Sequence, residues 1–134
     1  MLNKIQLIIF DFDGVLTDNY VFVDSNGNEF VRCNRSDGLA FNALSKLGIK
    51  TIICSTEKNN VVLERGKKLK VETFHAIGDK FKWLKSYISL NKINPTNILF
   101  VGNDLNDYFS MKFCGFSACP SDSEVKIRDI SSFV

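Results

Sequence analysis

Apolar residues fall in short runs, separated by longer stretches with helical spacing. From position 5 to 10 every residue except Gln6 is apolar, and the run stops at Asp11-Phe12-Asp13-Gly14. A continuous run of that length, rich in Ile and Phe, predicts a strand buried on both faces. Lys50-Thr51-Ile52-Ile53-Cys54 repeats the shape and stops at Ser55-Thr56-Glu57; residues 97–101 repeat it again and stop at Gly102-Asn103-Asp104. Residues 71–74 and 115–118 are shorter candidates. Asp37 is placed to cap a helix through Leu39, Ala40, Ala43, Leu44 and Leu47, with Gly48 as its stop. Helical spacing returns over 59–69, after Gly78-Asp79-Lys80 through Phe81, Leu84, Tyr87 and Ile88, and again through Phe109, Met111 and Phe113. Asn94-Pro95 breaks the chain. Alternating apolar positions around Asn26-Gly27 predict a β-hairpin directly after the acidic turn, projecting over the pocket mouth. Ser123 is expected to cap a last short helix, and 130–134 to add an edge strand.

Strand and helix alternate throughout. The pattern predicts an α/β fold, a three-layer sandwich with a central parallel sheet between helices. In such sheets ligands bind beyond the carboxyl ends of the strands, at the switch point. The residues with chemical potential all fall there: Asp11 and Asp13, Ser55 and Glu57, Lys80, and Asn103, Asp104 and Asp107.

Composition narrows the function classes. At 134 residues the chain is long enough to bury a core and is expected to be one domain, 1–134. It is 45% hydrophobic and 24% charged, which argues against disorder. Net charge is +2, and the densest basic cluster is Gly66-Lys67-Lys68-Leu69-Lys70, so no nucleic-acid partner is indicated. No apolar stretch reaches membrane-spanning length, and Met1-Leu2-Asn3-Lys4 runs into the first strand without a signal-peptide pattern. Cys33, Cys54, Cys114 and Cys119 stand in no metal-ligand spacing, so free thiols and a cytoplasmic location are expected. The twelve Phe are expected to pack in the core. His75, the one histidine, has no nucleophile signature beside it and is expected at the site edge or in a structural role.

Asp11 and Asp13 flank one residue, so on extended chain they point the same way. A buried strand ending in two acids needs something to offset their charge. Oxygen-only ligands favour Mg²⁺.

Asp-x-Asp-Gly-x-x-Thr at 11–17, Ser55 after the second strand, Lys80 before a late helix and Gly-Asn-Asp-x-x-Asp at 102–107 form an ordered set. The set resembles the haloacid dehalogenase (HAD) superfamily of phosphotransferases, over the whole chain. With no large insertion it is similar to the capless branch, in which a hairpin flap replaces the cap domain. Within that branch it resembles the phosphatases of 3-deoxy-octulosonate 8-phosphate and of nonulosonate (sialic acid-type) 9-phosphates. It is also similar to the phosphatase-like domain of acylneuraminate cytidylyltransferases.

The resemblance implies a Mg²⁺-dependent phosphatase acting through an aspartyl-phosphate. Asp11 would be the nucleophile and Asp13 the acid and base. Ser55 would bind a phosphoryl oxygen, and Lys80 would offset charge in the transition state. The implied metal set is Asp11, the Asp13 carbonyl and the loop residues Asn103, Asp104 and Asp107. Thr56, Glu57 and Arg35 are candidates for substrate contact. Glu57 resembles the acid of the nonulosonate enzymes, and as a plain helix-start acid it would simply favour the dipole. Arg35 would take a substrate carboxylate, or is a surface arginine. The implied partners are a small sugar phosphate, further copies in a homotetramer, and a cytidylyltransferase.

Two departures stand out. The family's usual Gly-Asp-Asp is Gly102-Asn103-Asp104 here, so an uncharged amide replaces an acid. The chain ends at Ser132-Phe133-Val134 without the Gly-rich tail and Arg-Glu that the resemblance leads one to expect. Two other function classes compete. One is a degenerate domain that supports a partner enzyme. The other is a phosphoryl-accepting receiver module, for which the Asp11-x-Asp13 spacing is less apt.

Overall fold

The computed structural model describes residues 2–134. Five strands form one parallel sheet: β1 (Leu7–Phe10), β4 (Lys50–Cys54), β5 (Glu72–Phe74), β6 (Ile98–Val101) and β7 (Phe116–Ala118). Their order is β5-β4-β1-β6-β7. Phe10 pairs with Ile53 on one side and Val101 on the other, so β1 is central and its carboxyl end is flanked by two others. The chain leaves β1 for β4 on one side and returns to β6 on the other, which makes this the switch point of the sheet.

The apolar runs divide by the two-residue period of a strand. Leu7, Ile9, Ile52, Ile98 and Phe100 face α3 (Lys80–Asn91), α4 (Tyr108–Phe113) and α5 (Val125–Ile130), where they meet Leu84, Ile88, Met111 and Ile127. Ile53 faces α1 (Asp37–Lys46) and α2 (Val61–Leu69), with Phe12, Phe41, Val62 and Leu69. Removing a large side chain from either layer, such as Phe100 or Phe12, would cost roughly 3–5 kcal/mol.

A separate antiparallel pair, β2 (Thr17–Val23) and β3 (Glu29–Cys33), leaves the sheet between β1 and α1. It turns at Gly27, whose φ is +80°. Its register slips. Thr17 opposes Cys33 and Val21 opposes Val31, so Asp18, Asn19 and Tyr20 bulge against Arg32 alone. The Arg32 guanidinium grips Asp18 Oδ2 at 2.7 and 2.8 Å and fixes the bulge.

Several local expectations need correction. Ser36, not Asp37, is the residue before α1, and it makes no side-chain cap; Asn34 Oδ1 instead accepts from the Ser36 N–H. Glu124, not Ser123, caps α5 by accepting from the Lys126 N–H. The expected edge strand is a single bridge between Ala118 and Phe133, because α5 takes the chain as far as Ile130. Phe22, Phe30, Phe109, Phe113 and Phe133 are exposed rather than core. The four cysteines are free, with Cys33 only half-buried. No helix of the described residues is long and apolar enough to cross a membrane.

Candidate active site

Three strand ends build the site. Backbone bonds continue the sheet one residue past each strand: Asp11 N–H to the Val101 carbonyl, Ser55 N–H to Phe74, and Gly102 N–H to Ala118. These bonds fix Asp11, Ser55 and Gly102 as firmly as strand residues. Phe12 then plugs the α1–α2 layer, and its carbonyl accepts from the N–H groups of Val15, Leu16 and Thr17. That tight turn leaves Asp11 buried and Asp13 half-exposed. The two carboxylates therefore meet different surroundings, although extended chain would point them the same way.

Lys80 comes from the start of α3, where Asp79 caps the helix by accepting from the Lys82 N–H at 3.0 Å. Lys80 is 2% exposed, and its Nζ donates to Asp11 Oδ1 at 2.6 Å and Asp107 Oδ1 at 2.8 Å. Burial works against its charge, but Asp11 and Asp107 together outweigh it, so the ammonium holds its proton more tightly than a free lysine. Burial raises the Asp11 carboxyl to about 7, against the pull of Lys80 and with a push from Asp107. Asp13 is raised too, by burial first and then by the charge of Glu57.

The loop after β6 divides its acids. Asp107 is fully buried and has no free oxygen. Oδ1 accepts from Lys80, and Oδ2 accepts from the N–H groups of Asn103 (3.1 Å) and Asp104 (3.4 Å). Gly102 permits this, since a Cβ there would lie 2.6–2.7 Å from the Asp107 side chain. Asp104 is exposed and caps the turn Leu105–Asp107, accepting from the Leu105 N–H at 2.7 Å. Asp107 is thus a partner of Lys80 rather than part of an open ligand set, which corrects the place expected for it.

Asn103 behaves otherwise. Its backbone is anchored, N–H to Asp107 and carbonyl to the Glu124 N–H. Its side-chain Oδ1 is buried with no hydrogen-bond partner, and its Nδ2 packs against Gly14. Gly14 has φ +87°, and a Cβ there would collide with Asn103 Nδ2. An unpaired buried oxygen calls for a partner, and a bound cation would supply one. The Asp13 carbonyl accepts no backbone hydrogen bond among the described residues. Asp11, the Asp13 carbonyl and Asn103 Oδ1 would offer a cation oxygen atoms only, the chemistry that a hard divalent cation takes. Among the described residues no cluster of three His, Cys, Asp or Glu could hold a metal, so a site here depends on the carbonyl and the amide.

Ser55 is buried, and its Oγ accepts from the Glu57 N–H at 3.1 Å, leaving the hydroxyl hydrogen to donate elsewhere. Thr56 is exposed beside it. Glu57 is half-buried. Its Oε1 accepts from the Asn59 N–H at 2.9 Å, a local turn role, while its charge still reaches Asp13. His75 follows β5 at the same end of the sheet and leaves Nδ1 buried without a partner. Arg35 lines a cleft at the hairpin root with Val15, Thr17, Asp18, Arg32 and Asp37.

No family model matches the chain. A crystal structure of a protein described as a HAD family hydrolase, from Streptomyces avermitilis, superposes with a TM-score of 0.96 at 37% identity, over 100% of this chain and 77% of that one. The 3-deoxy-D-manno-octulosonate 8-phosphate phosphatase of Moraxella catarrhalis, solved with a magnesium ion, a phosphate ion and a KDO molecule, superposes with a TM-score of 0.92 at 26% identity, over 98% of this chain and 76% of that one. The phosphatase KdsC of Salmonella typhi, which acts on the same octulosonate phosphate, is 29% identical over 121 residues, 90% of this chain. The chain spans 64% of that relative's length. The chain belongs to the HAD family of hydrolases.

Proposed function

We propose that this chain is a Mg²⁺-dependent phosphatase that hydrolyses a sugar-acid phosphate monoester. The observation that supports it most is the buried Lys80 held between Asp11 and Asp107, with Asp13 alongside and Asn103 Oδ1 unpaired. Asp11 attacks phosphorus in line; the P–O bond to the sugar breaks and an aspartyl-phosphate forms. Asp13, whose burial keeps its proton on longer than a free carboxyl, gives that proton to the departing alkoxide. It then takes one from the water that attacks the phosphoryl group, and inorganic phosphate and the Asp11 carboxylate are released. Ser55 donates to a phosphoryl oxygen, and Lys80 offsets charge in the transition state. Asp107 holds Lys80 in place. A divalent cation held by Asp11, the Asp13 carbonyl and Asn103 would neutralise charge between an anionic nucleophile and an anionic phosphate.

The preferred substrates are 2-keto-3-deoxy sugar acids phosphorylated at the terminal hydroxyl. The 9-phosphates of nonulosonates rank ahead of octulosonate 8-phosphate, because Glu57 brings a carboxylate to the Asp13 side, where sugar hydroxyls can donate to it. Phosphate release from a panel containing both, under saturating Mg²⁺, tests the reading. Release from neither would favour a second reading, a domain that supports a partner such as a cytidylyltransferase without turning over. The neutral Asn103 in place of an acid is what favours that second reading.

Assembly into a homotetramer belongs to the same proposal. Both faces of the hairpin expose apolar side chains, Tyr20, Val21, Phe22, Val23 and Phe30, a surface that further copies of the chain would cover. Light scattering that found only monomer at micromolar concentration would contradict it. Four free thiols accord with a reducing, cytoplasmic location.

A further inference from the structure

The hairpin bulge brings one residue back toward the site. Asn19 sits at the centre of the bulge with φ +69°, the left-handed region that Asn tolerates better than other residues with a side chain. Its N–H donates to Thr17 Oγ1 at 3.1 Å, and Thr17 Oγ1 also accepts from the Gly14 N–H at 3.1 Å. One hydroxyl therefore ties the bulge to the acidic turn. The Asn19 side-chain amide makes no hydrogen bond among the described residues. It is exposed, and its Cγ lies 3.1 Å from the point where a Gly14 Cβ would be. The Cγ of Asn103 lies 2.7 Å from the same point. The missing side chain of Gly14 thus leaves a cradle that two amides share, one from the loop after β6 and one from the hairpin.

Bulges often serve to re-aim a side chain beside a site. Here the bulge, its Asp18–Arg32 clamp and the left-handed Asn19 backbone together bring an unpaired amide beside Asn103. Mg²⁺ keeps several waters when bound, and those waters need acceptors. An amide in place of an acid at 103 leaves the cation's surroundings poorer in acceptors.

We propose that Asn19 is a positioning residue of the cation site, its side-chain oxygen accepting a hydrogen bond from a cation-bound water beside Asn103. This rests on the reading of Asp11, the Asp13 carbonyl and Asn103 as the cation's ligands. It assigns the hairpin root a part in metal affinity, and not only in covering the pocket.

Titration calorimetry of Mg²⁺ into the substrate-free chain tests it without turnover. Asn19→Gly removes the amide while easing the backbone at φ +69°, so the fold is kept, as the thermal midpoint will verify. Mg²⁺ binding is expected to weaken about tenfold in Asn19→Gly, the low end for loss of an outer-sphere partner. Asn19→Asp restores an acceptor and adds charge, so it should bind at least as tightly as the wild type. Affinity in Asn19→Gly within twofold of wild type overturns the proposal; so does Asn19→Asp as weak as Asn19→Gly. Phosphate release fails independently: a chain that binds Mg²⁺ as expected but hydrolyses nothing would refute the phosphatase reading and leave the role of Asn19 standing.

Discussion

Lys80 Nζ lies 2.8 Å from Asp107 Oδ1, and both side chains are wholly removed from solvent. The same nitrogen reaches Asp11 Oδ1 at 2.6 Å. One cation therefore serves two buried carboxylates, and its loss leaves both uncompensated. Replacing Lys80 by Met keeps most of the volume and removes the charge. Unfolding in urea at pH 8 is expected to show a loss of about 3–5 kcal/mol, typical for removing one member of a buried ion pair. The loss should shrink at pH 5.5, where Asp11 can take up a proton. An equal loss at both pH values would show that Lys80 matters for packing alone.

Asp11 gives the metal-free protein a pH dependence of definite sign. Its carboxyl titrates near 3.8 when unfolded and is raised to about 7 in the fold. Between those values the folded state binds a proton that the unfolded state does not. Stability from this group is fully present below about 3.8 and is lost as pH rises through about 7. In EDTA the thermal midpoint should fall from pH 5.5 to 7.5, with a slope of at most about 1.4 kcal/mol per pH unit. Saturating Mg²⁺ should flatten the fall, because the cation favours the carboxylate. A midpoint that rises over this range in EDTA would refute the assignment.

Gly14 is constrained twice, by φ +87° and by the Asn103 amide against its Cα. Gly14→Ala should destabilise by about 1–3 kcal/mol from the left-handed backbone alone. It must also displace Asn103, so Mg²⁺ affinity should drop along with stability. Calorimetry that found stability reduced and affinity intact would separate Asn103 from the cation.

Asn103→Asp restores an acid where the chain has an amide. The variant should bind Mg²⁺ more tightly, and its thermal midpoint should rise more on adding Mg²⁺, as linkage requires. Without the cation it should be less stable than wild type, since it buries another acid beside Asp107. Equal or weaker binding would remove Asn103 from the cation's ligands.

Much of this was legible in the chain. The runs ending at Asp11, Ser55 and Asn103 marked the strands and the end at which the site lies, because a buried strand and its abrupt polar stop are local features. The paired hairpin followed from Asn26-Gly27 for the same reason. What stayed hidden depends on contacts between distant segments. Asp107 sits in a loop of acids and amides, and nothing local says that Lys80, 27 residues away in sequence, consumes one of its oxygens. Asn19 carried no reading from the sequence alone. Its signal was the Asp18-Asn19 pair at the hairpin root, which needs the register slip before it has meaning.

The central claim is that Asp11 becomes phosphorylated. The most direct test is mass spectrometry of the chain, acid-quenched during turnover of a nonulosonate 9-phosphate with Mg²⁺. The account predicts a phosphoryl adduct, removable by hydroxylamine, on the peptide that contains Asp11, and neither adduct nor phosphate release in Asp11→Asn. Turnover by the wild type with the adduct on another residue, or undiminished turnover by Asp11→Asn, would contradict it.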